Sequence, residues 1–127
     1  MTSRIDVGDR IPDALVQVWQ EGALRTVPTH ALFAGRRVLL VCMPGAFTPT
    51  CSREHLPGYV QMSDRLRAQG LGVICLAVND PFVMHTWGEQ LGAIGKVELL
   101  PDGNAALTRA MGLELDASPF GMGGRAL

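Results

Sequence analysis

No sign of charge dominates this chain: 11 Lys and Arg stand against 12 Asp and Glu, for a formal net charge of -1. That balance offers no electrostatic attraction to nucleic acid or to an anionic membrane, and neither is expected as a partner. Long apolar runs are absent as well. None approaches the ~18 residues of a membrane-spanning helix, and the opening stretch MTSRIDVGDRIPD lacks the apolar core of a secretion signal. The expected location is the cytoplasm. Repeats, linkers and low-complexity tracts are missing too, and 127 residues with 47% hydrophobic and 18% charged content describe one globular domain spanning residues 1–127.

Cysteine is scarce and has no pairing pattern. Cys42, Cys51 and Cys75 are odd in number, and neither a CxxC motif nor paired histidines accompany them, which excludes a disulfide framework and a zinc site. Free thiols in a reducing compartment are expected, with no metal.

What is present reads as alternating strands and helices of an α/β fold. Asp13 to Trp19 carries Leu15, Val16, Val18 and Trp19 among polar residues and predicts a strand. Glu21 and Gly22 make a turn, and Arg25 to Pro28 returns as the second arm of a hairpin. Thr29 is placed to cap a short helix, His30 to Phe33, closed by Ala34 and Gly35. Val38 to Cys42 is continuously apolar, as expected of a strand covered on both faces.

A helix then runs to about Gln69 with Leu56, Tyr59, Val60 and Leu66 on one side. Pro57 has no amide to bond to Arg53 and crowds its carbonyl, so a kink or break is expected there. Gly72 to Val78 is a second buried strand, and strand, helix, strand in that order predicts a parallel crossover. Pro81 to Leu91 follows as a helix, Lys96 to Leu100 as a strand, and Asn104 to Met111 as a helix stopped by Gly112. The glycine-rich stretch Ser118 to Leu127 reads as a loop.

The chemistry concentrates between the first apolar strand and its helix, in PGAFTPTC. Thr48 is a favoured N-cap and Pro49 suits the first helical position, because its fixed φ fits the helix and its missing N–H would have been an orphan there. Cys51 then falls at about the third helical residue. Amides and the positive end of the helix dipole face its sulfur and favour thiolate over thiol, which makes Cys51 the candidate nucleophile; the competing reading is a small buried hydrophobe. A disulfide oxidoreductase would carry a second cysteine at position 48. Thr48 stands there instead, which weakens thiol–disulfide exchange as the activity. Pro44 either shields the sulfur and fixes the loop or is a plain turn proline.

Three blocks carry a family resemblance: PGAFTPTCS at Pro44 to Ser52, HLPGY at His55 to Tyr59, and VNDPFVMHTWG at Val78 to Gly88. Together with VGDRIP at Val7 to Pro12 and LELDASPFGMG near the end, they resemble the type II, peroxiredoxin-5-like branch of the peroxiredoxins over nearly the whole chain. The resemblance implies a thioredoxin-like fold, a central mixed sheet flanked by helices. It also implies reduction of hydrogen peroxide and organic hydroperoxides by Cys51, with no metal or organic cofactor. Thr48 would add a hydrogen bond to the peroxide or the sulfur, beyond any capping role. The resulting sulfenic acid would be recycled by an external thiol: glutathione, glutaredoxin or thioredoxin.

Cys75, in ICLAVND, matches in placement a second cysteine of some relatives and is the possible resolving residue. Its apolar strand points instead to a buried, inert thiol, and Cys42 reads as structural. A homodimer is implied, with Phe47, Phe82 and Phe120 at its interface. Relatives continue through an RxxR-type motif into two antiparallel strands and a last helix. Arg125 matches the first arginine and the sequence ends before the second, so those C-terminal elements are expected to be missing. That expectation feeds the rival reading, a truncated or degenerate member acting as redox sensor or binding protein. Arg53 and Arg125 are the arginine candidates left for the site. His55 and His85 show no carboxylate partner in the sequence and read as surface or capping residues.

Overall fold

A computed structural model describes residues 4–127; Met1 to Ser3, at the head of the N-terminal stretch discussed above, lie outside it. The chain opens with a hairpin, β1 (Leu15–Gln20) and β2 (Ala23–Pro28), paired antiparallel from Leu15 opposite Pro28 to Gln20 opposite Ala23. Glu21 and Gly22 join them with φ of 52° and 72°. A two-residue turn with both φ positive matches the twist of an antiparallel pair, and glycine takes its position without strain.

Helix α1 (Thr29–Phe33) follows at once. Thr29 does not cap it as expected. Its hydroxyl is buried, accepting from the Ala14 amide (2.9 Å) and lying 3.1 Å from both the Pro12 carbonyl and Asp13 Oδ1. The capping acceptor comes from the chain before the hairpin, where Asp13 Oδ1 takes the His30 amide (3.0 Å) while Asp13 Oδ2 meets His30 Nδ1 (2.8 Å).

Three parallel strands form the central sheet, β3 (Val38–Met43), β4 (Gly72–Ala77) and β5 (Glu98–Pro101), in the order β3-β4-β5. The register aligns Val41 with Cys75 and Cys75 with Leu99. Side chains of a strand alternate between faces, and β4 shows what that does: Val73, Cys75 and Ala77 enter one core cluster while Ile74 and Leu76 enter the other. Helices α2 (Leu56–Ala68) and α3 (Pro81–Gln90) cover the first face through Leu56, Met84 and Trp87. The second face packs on Val16 and Val18 of β1 and on Leu107 and Met111 around α4 (Ala106–Ala110). Because β3 lies at one side of this sheet, it is only half-buried, with Leu39 exposed. The expected cover on both faces is met by β4 alone.

The tail is not the loop that its glycines suggest. Strand β6 (Glu114–Asp116), a 3-10 turn (Ser118–Phe120) and strand β7 (Gly124–Ala126) form an antiparallel pair, with Glu114 opposite Ala126. Ala126 is fully buried in the second cluster. Glycines at 121 and 123 supply φ of 71° and 65°, which closes the connection instead of loosening it.

Asp102 is the buried charge that orders this end. It accepts from the Leu107 amide (3.2 Å), the Thr108 amide (2.7 Å) and the Thr108 hydroxyl (2.7 Å), and so caps α4, which starts at Ala106 and not at Asn104 as predicted. Asp102→Ala leaves those donors buried and unpaired. Unfolding free energy is expected to fall by about 3 kcal/mol, read as a lower urea midpoint at unchanged slope.

Candidate active site

The chain leaves β3 at Met43 and is helical again by Pro49, so Pro44 to Thr48 must make the whole turn. Two side-chain bonds hold it. The Thr48 hydroxyl donates to the Gly45 carbonyl (2.7 Å), and Asn79 Oδ1, just past the end of β4, accepts from the Ala46 amide (2.8 Å). Gly45 is packed on the other side: a Cβ there would stand 2.9 Å from Arg125 Nη1 and 3.4 Å from Thr48 Cγ2. A side chain there would require the guanidinium end of Arg125 to shift. Phe47 adopts φ of 62°, a left-handed conformation that costs a bulky residue of order 1–3 kcal/mol and needs surrounding support.

Thr48 therefore begins the helix through its main chain, its carbonyl accepting the Ser52 amide (2.9 Å). Its side chain faces back into the loop, not forward to cap. Pro49 and Thr50 are the first helical residues and Cys51 the third, as the spacing predicted. Of the kink or break expected at Pro57, the break does not occur, and the irregularity falls just before it. Cys51–His55 instead form a π-helical turn that runs directly into α2, with the Leu56 amide donating to the Cys51 carbonyl. A turn widened by one residue carries the helix into Pro57 without a break, and such bulges recur at functional sites.

The Cys51 side chain is buried at 2% exposure and belongs to the core cluster with Met43, Ala46, Leu56, Met84 and Trp87. Its neighbour Ser52 accepts a hydrogen bond from Trp87 Nε1 (3.0 Å). The Phe47 ring lies 6.5 Å from the Trp87 ring, tilted by 51°. Pro44, half-buried, opens the turn directly after β3.

Of the two arginine candidates, Arg125 reaches this loop and Arg53 does not. Arg125 donates through Nε to Met122 (2.9 Å) and through Nη1 to the Val78 carbonyl (3.1 Å), while Arg53 is exposed on the π turn. His55 is exposed. His85 does have a carboxylate within reach, Glu89 Oε1 at 3.6 Å one helical turn on, a surface pair that the spacing of four residues could have revealed.

All three cysteines are free. Cys75 shares the cluster of Cys51, and burial pushes its thiol up to about 12, with Cys51 and then Cys42 adding to the rise. Burial, then the charge of Asp102, raises the Cys42 thiol too.

Asn79 escaped the sequence reading, although a signal was there. Two polar residues in succession end an apolar strand, and Asp80 alone serves the next helix, its side chain accepting the Val83 amide (2.8 Å). The spare one turns to the loop.

With that geometry in place, a family model described as Redoxin matches residues 6–123. Peroxiredoxin-2E-2, chloroplastic, of Oryza sativa subsp. japonica is 47% identical over 132 residues, covering 99% of this chain and 59% of that protein. Peroxiredoxin-2B of Arabidopsis thaliana is 42% identical over 124 residues, covering 96% of this chain and 76% of that protein. The crystal structure of reduced Prx3 in complex with hydrogen peroxide from Vibrio vulnificus superimposes with a TM-score of 0.89 at 40% identity, covering 99% of this chain and 77% of that one. The chain belongs to the peroxiredoxins.

It falls in their type II, peroxiredoxin-5-like branch within the thioredoxin superfamily, and its architecture is the thioredoxin-like one. This peroxiredoxin chain spans less than two thirds of the rice protein. That relative and another are chloroplastic. No helix of the described residues is long and apolar enough to cross a membrane.

Two outcomes are expected. Asn79→Ala removes the acceptor of the Ala46 amide, and hydrogen exchange at that amide should accelerate by about tenfold, the value of one such bond. For Cys75, burial holds the native thiol's proton well above the ordinary thiol range, to about 12. The native state thus binds more protons than the unfolded one between pH 9 and about 12. Stability from this source is intact below about pH 9 and is lost as pH rises through that window. Cys75→Ala should flatten the alkaline decline by up to about 1.4 kcal/mol per pH unit, measured by urea unfolding at stepped pH.

Proposed function

We propose that this peroxiredoxin chain reduces hydroperoxides through Cys51, using an external thiol to close the cycle. The seat of Cys51 carries the reading: third in its helix, buried among Met43, Ala46 and Leu56, beside a loop pinned by Thr48 and Asn79. A likeness to a reduced Prx3 that holds hydrogen peroxide supports the substrate class.

The Cys51 thiolate attacks one peroxide oxygen. A sulfur–oxygen bond forms, the O–O bond breaks, and hydroxide or alkoxide leaves and takes a proton from solvent. Sulfur is oxidised by two electrons to sulfenic acid and the peroxide is reduced by two. Charge passes from sulfur to the leaving oxygen, so fixed donors at the turn stabilise the transition state. Main-chain amides between Gly45 and Cys51 are one source, with the Thr48 hydroxyl available if it turns from Gly45. Pro44 fixes where the loop departs from β3. A first external thiol then displaces water from the sulfenic acid to give a mixed disulfide, and a second thiol releases Cys51.

Glutathione, glutaredoxin and thioredoxin all fit the class of reductant. Cys75 does not take the resolving role in this reading, because a thiol that holds its proton to about pH 12 supplies almost no thiolate near neutrality. Phe47, Phe82 and Phe120 are exposed, in keeping with the proposal that two copies pair through them.

Treating the protein with one equivalent of hydrogen peroxide and a sulfenic-acid trap should place one adduct on Cys51, seen by peptide mass, and none in Cys51→Ser. Peroxide turnover with dithiothreitol should fall at least about 1,000-fold in that variant. An adduct at Cys42 or Cys75 instead, or turnover that survives Cys51→Ser, would overturn the assignment.

A further inference from the structure

The π turn that carries Cys51 is a rare conformation, and it runs into a proline that can donate no amide hydrogen bond. Something outside the turn must hold its shape. Trp87 on α3 touches it on both sides of the sulfur. Its indole N–H donates to Ser52 Oγ (3.0 Å), one residue after Cys51, and its ring supports Phe47, four residues before. Trp87 itself is 1% exposed, so it is fixed by the core and has no water to turn to.

The energetics favour a one-way tie. An indole offers a donor and no acceptor, and a donor left unpaired in the core is costly. Ser52 could in principle satisfy itself from solvent or from its own helix. The bond to Trp87 therefore serves the indole's need and holds the serine in place as a consequence. Ser52 and Cys51 share a peptide bond, so fixing one limits the rotation of the other. The Phe47 contact works on the loop arm in the same sense, since a phenylalanine at φ of 62° keeps that conformation only while its ring is supported.

We infer that Trp87 and Ser52 form a latch that sets the position of the Cys51 sulfur. Both are positioning residues: neither meets the peroxide, and both act through the geometry of the turn. The inference rests on reading Cys51 as the nucleophile. A latched turn presents the buried sulfur to a small oxidant along one approach and keeps bulkier electrophiles away from it. An unlatched turn does the reverse, since the sulfur spends time exposed but misaligned with the loop donors.

The test pairs two reagents on Ser52→Ala, Ser52→Thr, Trp87→Phe and the Ser52→Ala/Trp87→Phe double variant. Stopped-flow oxidation of Cys51 by hydrogen peroxide should slow about tenfold in Ser52→Ala and in Trp87→Phe, the loss expected for one hydrogen bond. The double variant should slow no further, because the two residues share that bond. Alkylation of Cys51 by iodoacetamide should move in the opposite direction, rising about tenfold in the same variants. Ser52→Thr keeps the hydroxyl and should stay within about twofold of the parent for both reagents.

A space-filling role for Trp87 would leave Ser52→Ala unchanged, which overturns the latch, as does a double variant whose effects simply add. Should Trp87→Phe fail to fold, Ser52→Ala against Ser52→Thr still decides. Should the parent prove inert to peroxide, the proposed function fails on its own. Alkylation rates then judge the latch without it.

Discussion

One constraint governs the Cys51 end of the molecule. A chain leaving a parallel strand at Met43 must begin a helix by Pro49 and deliver a thiol into the core on the way. Few backbones do this at low strain, and this one relies on borrowed groups: Asn79 from beyond β4 for the Ala46 amide, Trp87 from α3 for Ser52, and the Arg125 guanidinium packed close beside Gly45. The turn's own contribution is small by comparison, the bond from Thr48 back to Gly45. Strength here comes from neighbours that the core has already fixed, which is how a site is held more tightly than its loop could hold itself.

The sheet sets up those neighbours. Because β4 is buried on both faces, its alternation commits Cys75 to the layer of Cys51 and sends Ile74 and Leu76 to the layer of the hairpin and α4. The parallel register then brings the carboxyl ends of β3 and β4 side by side, Met43 opposite Ala77. Residues just past each end, Gly45 and Ala46 on one strand and Val78 and Asn79 on the other, meet as a result. Ligand and reaction sites gather at this edge of parallel sheets for the same topological reason.

Much of this was legible in the residues. Cap and proline chemistry placed Cys51 third in its helix, apolar runs found β3 and β4, and turn residues found the hairpin, since each of those signals is local. What stayed hidden depends on partners far along the chain. Thr29 looked like a cap, but Asp13 fills that role from across the hairpin. Pro57 looked like a kink or a break, and a five-residue hydrogen bond from Leu56 to Cys51 puts the irregularity just before it while the helix runs on. The glycines after Ser118 looked like slack, yet they place Gly124 to Ala126 against Glu114 to Asp116. Asn79 could be noticed only as a polar residue left over once Asp80 had been used.

Arg125 lies 80 positions after Gly45 in the chain and beside it in space, and its guanidinium also ties down the Val78 carbonyl. A contact of such long sequence separation carries a larger loop-closure cost than the local helices and the hairpin do. The loop before Cys51 therefore has its full set of contacts only once residue 125 is in place. During synthesis, Cys51 has emerged long before the segment that packs against its loop, and the thiol passes through a period as an ordinary, unguarded side chain.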